Sequence, residues 1–247
     1  VYNVAENTTI EFNGGKVVIA GTAAEDTFAA LTSGTAKIVF NDTEGDLTFV
    51  GAVCAINYGK DRYTFKTVAE AVAYAKDGET IVLLNDVTET ITVDVDKKIT
   101  LDLNGKNIST EGDAIVVSAG ELTIKGEGVV YAATTNTEPW CAVWAHTNGK
   151  VNIEGGEFKV GYPEGDYNDL IYAKDNAVIN ISGGKFYNSG KVGAFVLNLK
   201  DNSNAVINVT GGKFEKFNPA ENASENPQKN FIVAGTVEQD GDWYIVK

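Results

Sequence analysis

Arg62 is the only arginine and His146 the only histidine in a chain of 247 residues, and there is no methionine. With one guanidinium, bidentate recognition of phosphate or carboxylate along the chain is all but excluded. Lysine and arginine total 20 against 34 acidic residues, a net charge of −14. That balance removes the basic track that nucleic-acid phosphates need, and it disfavours an anionic membrane surface. No apolar run reaches the length of a membrane span and no signal peptide is present, so no membrane insertion is expected. The chain begins with Val, which fits either a removed leader or a segment of something longer. Its two cysteines are too few for a stapled secreted miniprotein. Cys54, in Gly-Ala-Val-Cys-Ala-Ile, and Cys141, in Trp-Cys-Ala-Val, read as small buried apolar residues and leave the redox compartment open. Prolines number 4 and glycines 26, a ratio that suits many tight corners joined by short strands.

What is present is a repeat. Val151-Asn152-Ile153-Glu154-Gly155-Gly156-Glu157-Phe158 returns as Ile179–Phe186 and again as Ile207–Phe214, each copy starting 28 residues after the last. Looser versions, Leu122–Gly126 and Leu101–Gly105, precede them; aligned on Leu103, Ile124, Ile153, Ile181 and Val209, the steps are 21, 29, 28 and 28 residues. A fixed period in this range marks a solenoid. Within the unit, apolar and polar residues alternate as in a strand with one buried face. A Gly-Gly corner follows, where positive φ carries no steric penalty. A phenylalanine then returns to the interior. No repeat has helical length or periodicity, so the expected fold is all-β: a parallel β-helix of stacked coils. Asn152, Asn180 and Asn208 fall at one position of the repeat, as a structural asparagine ladder requires.

Three segments are expected. Residues 1–53 alternate apolar and polar stretches around turn residues, with Thr9–Phe12 leading to Val17–Ala20 and Lys37–Phe40 leading to Leu47–Val50, as hairpins or irregular coils. Residues 54–78 carry the one helical unit. Thr67-Val68-Ala69-Glu70 is a capping box, Val68, Ala71, Val72 and Ala75 form a narrow stripe of small apolar residues, and Asp77-Gly78 stops the helix. It is read as a cap on the N-terminal end of the solenoid. Residues 79–247 form the β-helix. After Phe214 the pattern relaxes through Asn218–Asn230, and Asp242-Trp243-Tyr244-Ile245-Val246 ends the chain with a strand suited to covering the C-terminal end of the core.

The run Tyr63–Ala71, then Asp77-Gly78-Glu79-Thr80-Ile81-Val82-Leu83-Leu84-Asn85-Asp86-Val87, then Ile99-Thr100-Leu101-Asp102-Leu103-Asn104-Gly105-Lys106 resembles the entry region of pectin-lyase-like right-handed parallel β-helix modules of large bacterial surface proteins. The resemblance covers about residues 55–247 and implies a right-handed solenoid with a short N-terminal capping helix. Fold does not fix function here, because that family includes polysaccharide lyases, hydrolases, adhesins and phage fibres. Its lyases use a coil arginine with an aspartate cluster for calcium; this chain has no arginine after Arg62. Its polygalacturonases use an Asp-Asp pair with a nearby His, and no Asp-Asp dipeptide occurs here. No catalytic residue carries over, and no cofactor is expected. Two carboxylates alone suffice for glycoside hydrolysis, so Asp166 with Asp169, or Glu111 with Asp113, are the pairs an enzyme would use. Otherwise they are solvated loop acids.

The local anomaly is Trp140-Cys141-Ala142-Val143-Trp144-Ala145-His146. Alternation turns Cys141, Val143 and Ala145 inward and Trp140, Trp144 and His146 outward. The 28-residue step places Val143 on Ile171 and Trp144 beside Tyr172, with Tyr162 and Tyr167 in the intervening loop and Tyr131 before the strand. Outward rings on a rigid sheet form either a platform for a glycan or protein ligand or a satellite core beneath the Gly161–Asp169 loop. His146 has no second His or thiolate spaced to join it at a metal. Glu164, Asp166 and Asp169 are weak calcium candidates without an EF-hand or nonapeptide pattern. The expected function is a non-catalytic extracellular structural or adhesive module of a bacterial surface protein, acting alone, as a homo-oligomer or within a larger assembly. A virion component, fibre or capsid-decorating, is the alternative, and a polysaccharide lyase or glycoside hydrolase the third.

Overall fold

The computed structural model describes residues 9–13, 37–41, 52–58, 61–133, 141–161, 169–187, 195–221, 224–226 and 230–247. From Glu79 onward the chain winds as a parallel β-helix with three faces. The first face stacks Glu79–Leu83, Lys98–Asp102, Glu121–Lys125, Lys150–Ile153, Val178–Ile181 and Val206–Val209, all parallel. The second stacks Ile108–Thr110, Val129–Ala132, Glu157–Val160, Lys185–Phe186 and Gly212–Glu215. The third stacks Ile91–Val93, Ile115–Val117, Val143–Ala145, Ile171–Ala173 and Leu197–Leu199.

Alternation decides what lies inside. On the first face Leu101, Ile124, Ile153, Ile181 and Val209 are buried in one column, and each is the register partner of the next. Phe158, Phe186 and Phe214 stack inside the second face at centroid spacings of 5.1 and 4.7 Å, tilted by only 7° and 10°. Each fully buried phenylalanine contributes about 1.5–3 kcal/mol. The core is therefore a set of like-on-like columns, and the 28-residue repeat is what brings like onto like.

One alignment differs from the sequence expectation. Leu101, not Leu103, is the register partner of Ile124, so that step is two residues longer than the alignment on Leu103 gives. Leu103 lies beyond its strand and fills the corner beside Gly128 and Gly156, fully buried. The single step of 29 also has a local cause. Ile124 pairs with Ile153, 29 residues on, but Val129 pairs with Glu157, 28 on. The extra residue sits in the Gly126-Glu127-Gly128 corner, where later coils have only Gly-Gly.

The N-terminal unit has the expected helix, α1 (Val68–Tyr74), with both halves of the capping box formed at Thr67 and Glu70. Val68, Ala71, Val72 and Ala75 are all buried. Cys54–Tyr58 pairs antiparallel with Asp61–Phe65 and with Glu79–Leu83, which joins this unit to the first face. Of residues 1–53, Thr9–Asn13 runs parallel to Lys37–Asn41, and Val39 bridges to Asp61. The expected hairpin partners Val17–Ala20 and Leu47–Val50 lie outside the described residues.

At the C-terminus the final strand buries Val246 in the core, with Tyr244 packed against it. Trp243–Val246 pairs antiparallel with Gly212–Glu215 and with Val237–Asp240, extending the second face sideways. The end of the interior is filled by Phe217 and Phe231, whose rings follow Phe214 at 6.2 and 6.4 Å steps. Phe231 comes from the return of the Asn218–Asn230 excursion. That detour gave no periodic signal, and it supplies the plug.

Candidate functional site

The register of the third face is the one the 28-residue step requires: Val143 on Ile171, Trp144 on Tyr172, Ala145 on Ala173. Cys141, Val143 and Ala145 are buried, whereas Trp144, His146 and Tyr172 are half-buried on the outer side. The outward column through Trp144 reads Thr92, Val116, Trp144, Tyr172 and Asn198. Trp140, Tyr162, Tyr167, Glu164 and Asp166 lie outside the described residues.

Trp144 has two close neighbours. The His146 ring packs on it at 4.6 Å between centroids, and the Lys174 ammonium stands 4.8 Å over the indole. His146 and Lys174 are one rung apart, since the Ala145–Ala173 register carries on by one residue. Lys174 was therefore legible as the residue 28 positions after His146 but was not singled out. A cation over an indole face contributes about 0.5–1 kcal/mol at an exposed site. Burial and then Lys174 push the His146 pKa below its ordinary value, so the imidazole is neutral near pH 7. Its Nδ1 lies 3.0 Å from Thr147 Oγ1. The indole Nε1 is enclosed and has no hydrogen-bond partner among the described residues. Burial, then Glu225 and Asp169, raise the Tyr172 pKa, which keeps the phenol protonated.

The acids beside this face are occupied by the chain itself. Asp113 and Asp169 each stand two residues before an inward isoleucine, Ile115 and Ile171. Asp113 Oδ1 accepts from the Cys141 N–H at 2.7 Å, one coil on. Asp169 Oδ1 accepts from the Phe195 N–H at 3.0 Å, and its Oδ2 accepts from Asn198 Nδ2 at 2.6 Å. Asn198, fully buried, in turn accepts from the Glu225 N–H at 2.9 Å. Burial pushes the Asp169 carboxyl up to about 6 against the pull of Asn198 and Phe195. Burial likewise raises Asp113, against its bond from Cys141. Of the pairs an enzyme would use, Asp113 is thus buried in a backbone contact while Glu111 is exposed, and Asp169 has both oxygens engaged. Asp169 is also the one calcium candidate that is described, and those same contacts occupy it. The two-residue spacing before the inward isoleucine was the signal for this role.

The first face carries an unbroken amide ladder. Asn208 donates to Asn180 Oδ1 at 3.0 Å, Asn180 to Asn152 Oδ1 at 2.9 Å, and Asn152 to Glu121 Oε1 at 2.6 Å. A second ladder, Asn204 to Asn176 to Asn148, runs along the corner between the third and first faces. Tyr131 belongs elsewhere than with Trp144: it pairs with Lys159 on the second face. There Lys159 lies over the Tyr187 ring at 4.4 Å, and Tyr187 meets Trp243 edge-on at 5.2 Å. Among the described residues, no three His, Cys, Asp or Glu side chains gather as a metal site. Compared with protein-family models, with curated proteins and with solved structures, the chain matches none.

Proposed function

We propose that this chain is a non-catalytic, extracellular display module: a stretch of right-handed, pectin-lyase-like β-helix in a bacterial surface protein, offering the Trp144 face to a glycan or a protein. The observation that carries the reading is the Trp144–Tyr172 register on the third face, braced by His146 and Lys174. Two ring-bearing residues one rung apart on a rigid sheet provide apolar contact area for sugar ring faces, and the Lys174 ammonium is a donor for hydroxyls. The scaffolding role of Asp113 and Asp169 supports a non-catalytic reading, because a general acid must be free to reach a substrate oxygen.

The test is a glycan array run beside a polysaccharide-depolymerisation assay, on the chain and on Trp144→Ala and Tyr172→Ala. Binding without cleavage, lost in both variants, is the expected result. Release of reducing or unsaturated ends would make the protein an enzyme and overturn the reading. Glycan binding unchanged by either substitution would move the site off this face.

A further inference from the structure

The charge beside Trp144 has a sign, and the sign limits the ligand. Ser118, His146, Lys174 and Lys200 follow the inward residues Val117, Ala145, Ala173 and Leu199, which are register partners in turn. They therefore stand in one outward column, with Asp94 at its head after Val93. The backbone ladder runs on through them: the His146, Lys174 and Lys200 N–H groups bond to the Val117, Ala145 and Ala173 carbonyls, each at 3.0 Å. Within this column Lys174 is half-buried, and its ammonium stands over the Trp144 indole. It makes no ion pair among the described residues.

An unpaired ammonium is unexpected in a chain with 34 acidic residues against 20 basic ones. The cause is local, because the neighbouring acids are committed elsewhere. Asp175, the next residue, accepts from the Thr147 N–H at 3.0 Å. Asp169 holds the Phe195 N–H and Asn198, and Asp113 holds the Cys141 N–H. Glu225 pairs with Lys200 at 3.2 Å. The third face thus presents a cation without a counter-charge, set beside two aromatic rings one rung apart.

A ligand can supply the missing charge, and the surroundings limit how much of it. A polyanion laid along the column would meet Asp94 three rungs, about 14 Å, from Lys174, and Glu225 beside Lys200 at the other end. The net charge of −14 repels it further. One ammonium accommodates one acidic group. An acidic peptide is poorly served, because peptides dock on sheets through main-chain bonds at an open edge. Val143–Ala145 and Ile171–Ala173 are each paired on both sides. We infer that this face selects an otherwise neutral glycan bearing a single acidic substituent, a carboxylate or a sulfate ester, bound by Lys174 while Trp144 and Tyr172 take the adjoining sugar. The inference rests on the reading of the Trp144 face as a glycan site.

A glycan array holding neutral oligosaccharides beside their singly sialylated and singly sulfated forms tests this. Polygalacturonate and heparin serve as polyanions, and a glutamate-rich peptide as the protein counterpart. At least one singly acidic glycan should bind about tenfold or more tighter than its neutral parent, and the two acidic arms tell carboxylate from sulfate. Lys174→Gln should remove that margin and keep the binding of the neutral parent, and high salt should narrow it. A melting temperature within about 4 °C of the unchanged chain verifies that the variant is folded. Trp144→Ala should remove both kinds of binding. Equal binding of neutral and acidic members, or a margin that survives Lys174→Gln, would overturn the inference and leave the Trp144 reading standing. Binding that survives Trp144→Ala would sink that reading and this one with it. Tighter binding to the polyanions or the peptide than to any singly acidic glycan, or binding to none of these probes, would overturn the inference as well.

Discussion

Asn180 donates its side-chain amide to Asn152 Oδ1 at 2.9 Å, across the 28 residues that separate successive coils. The repeat therefore acts through hydrogen bonds as well as through packing. Asn152 and Asn180 each donate to one neighbour and accept from the other. Replacing Asn180 by Ala leaves Asn208 without its acceptor and Asn152 Oδ1 without its donor. The position is half-buried, so water recovers part of the loss, and a cost of about 1–2 kcal/mol is expected. At this chain length that lowers the melting temperature by about 2–8 °C. The double variant with Asn152→Ala should fall short of additivity by about 0.5 kcal/mol or more, because both changes break the same bond. Strict additivity would mean the ladder contributes nothing.

The two kinds of glycine in the molecule should answer differently to alanine. At Gly183 a new Cβ meets Glu154 O at 2.2 Å, and that oxygen is backbone of the coil before, which cannot yield without shifting a rung. At Gly241 φ is +58° but nothing lies within 4 Å. Gly241→Ala then costs only its left-handed backbone, about 1–2 kcal/mol. Gly183→Ala joins the overpacked class, at about 4 kcal/mol or more. Denaturant melts of the two variants, side by side, check the order. Equal losses would mean that backbone conformation, and not rung-to-rung approach, is what these corners require.

Much of this was legible because a solenoid writes its contacts into the sequence as a period. The 28-residue step placed Trp144 beside Tyr172 and aligned the asparagines without any tertiary information. It misled where a coil changes length. Leu103 looked like the equivalent of Ile124 because both precede a glycine turn, yet Leu103 is a corner residue and Leu101 the strand residue. Asp113 and Asp169 looked like loop acids because composition gives no hint of burial, and only stacking shows the N–H that each one holds. The groove along the stacked glycine corners was invisible for the same reason. Gly-Gly reads as a turn in one coil and becomes a groove only when five coils are superposed.

The short helix should depend on a residue from the next coil. Helix α1 has seven residues, too few to persist alone. Its last carbonyls are covered by Lys97, whose Nζ lies 2.8 Å from Ala75 O and 3.1 Å from Ala73 O. Lys97→Met keeps the stem and removes the donor, at an expected cost of about 1 kcal/mol. Hydrogen exchange should quicken over residues 68–75 and stay unchanged around the Phe158–Phe214 stack. Uniform exchange across both regions would show that Lys97 does not close the helix.

Asp169 gives the molecule a pH dependence whose sign is opposite to that of a salt-bridged carboxylate. Burial raises its folded pKa to about 6, whereas an unfolded aspartate titrates near 3.9. Between about pH 4 and pH 6 the folded chain thus holds a proton that the unfolded chain releases. The stability it contributes is complete below about pH 4 and is lost as pH rises towards about 6, at no more than about 1.4 kcal/mol per pH unit. Glu225 adds to the upward shift and Lys200 opposes it. Asp113, raised in the same direction, stays in place when Asp169→Asn is compared with the unchanged chain. The measurement is the difference in unfolding free energy between those two proteins from pH 3.5 to 7. It should move in favour of Asp169→Asn as pH rises through this window. A flat difference would mean that Asn198 and the Phe195 N–H already stabilise the ionised carboxylate as well as water does, and that the third face is insensitive to acid.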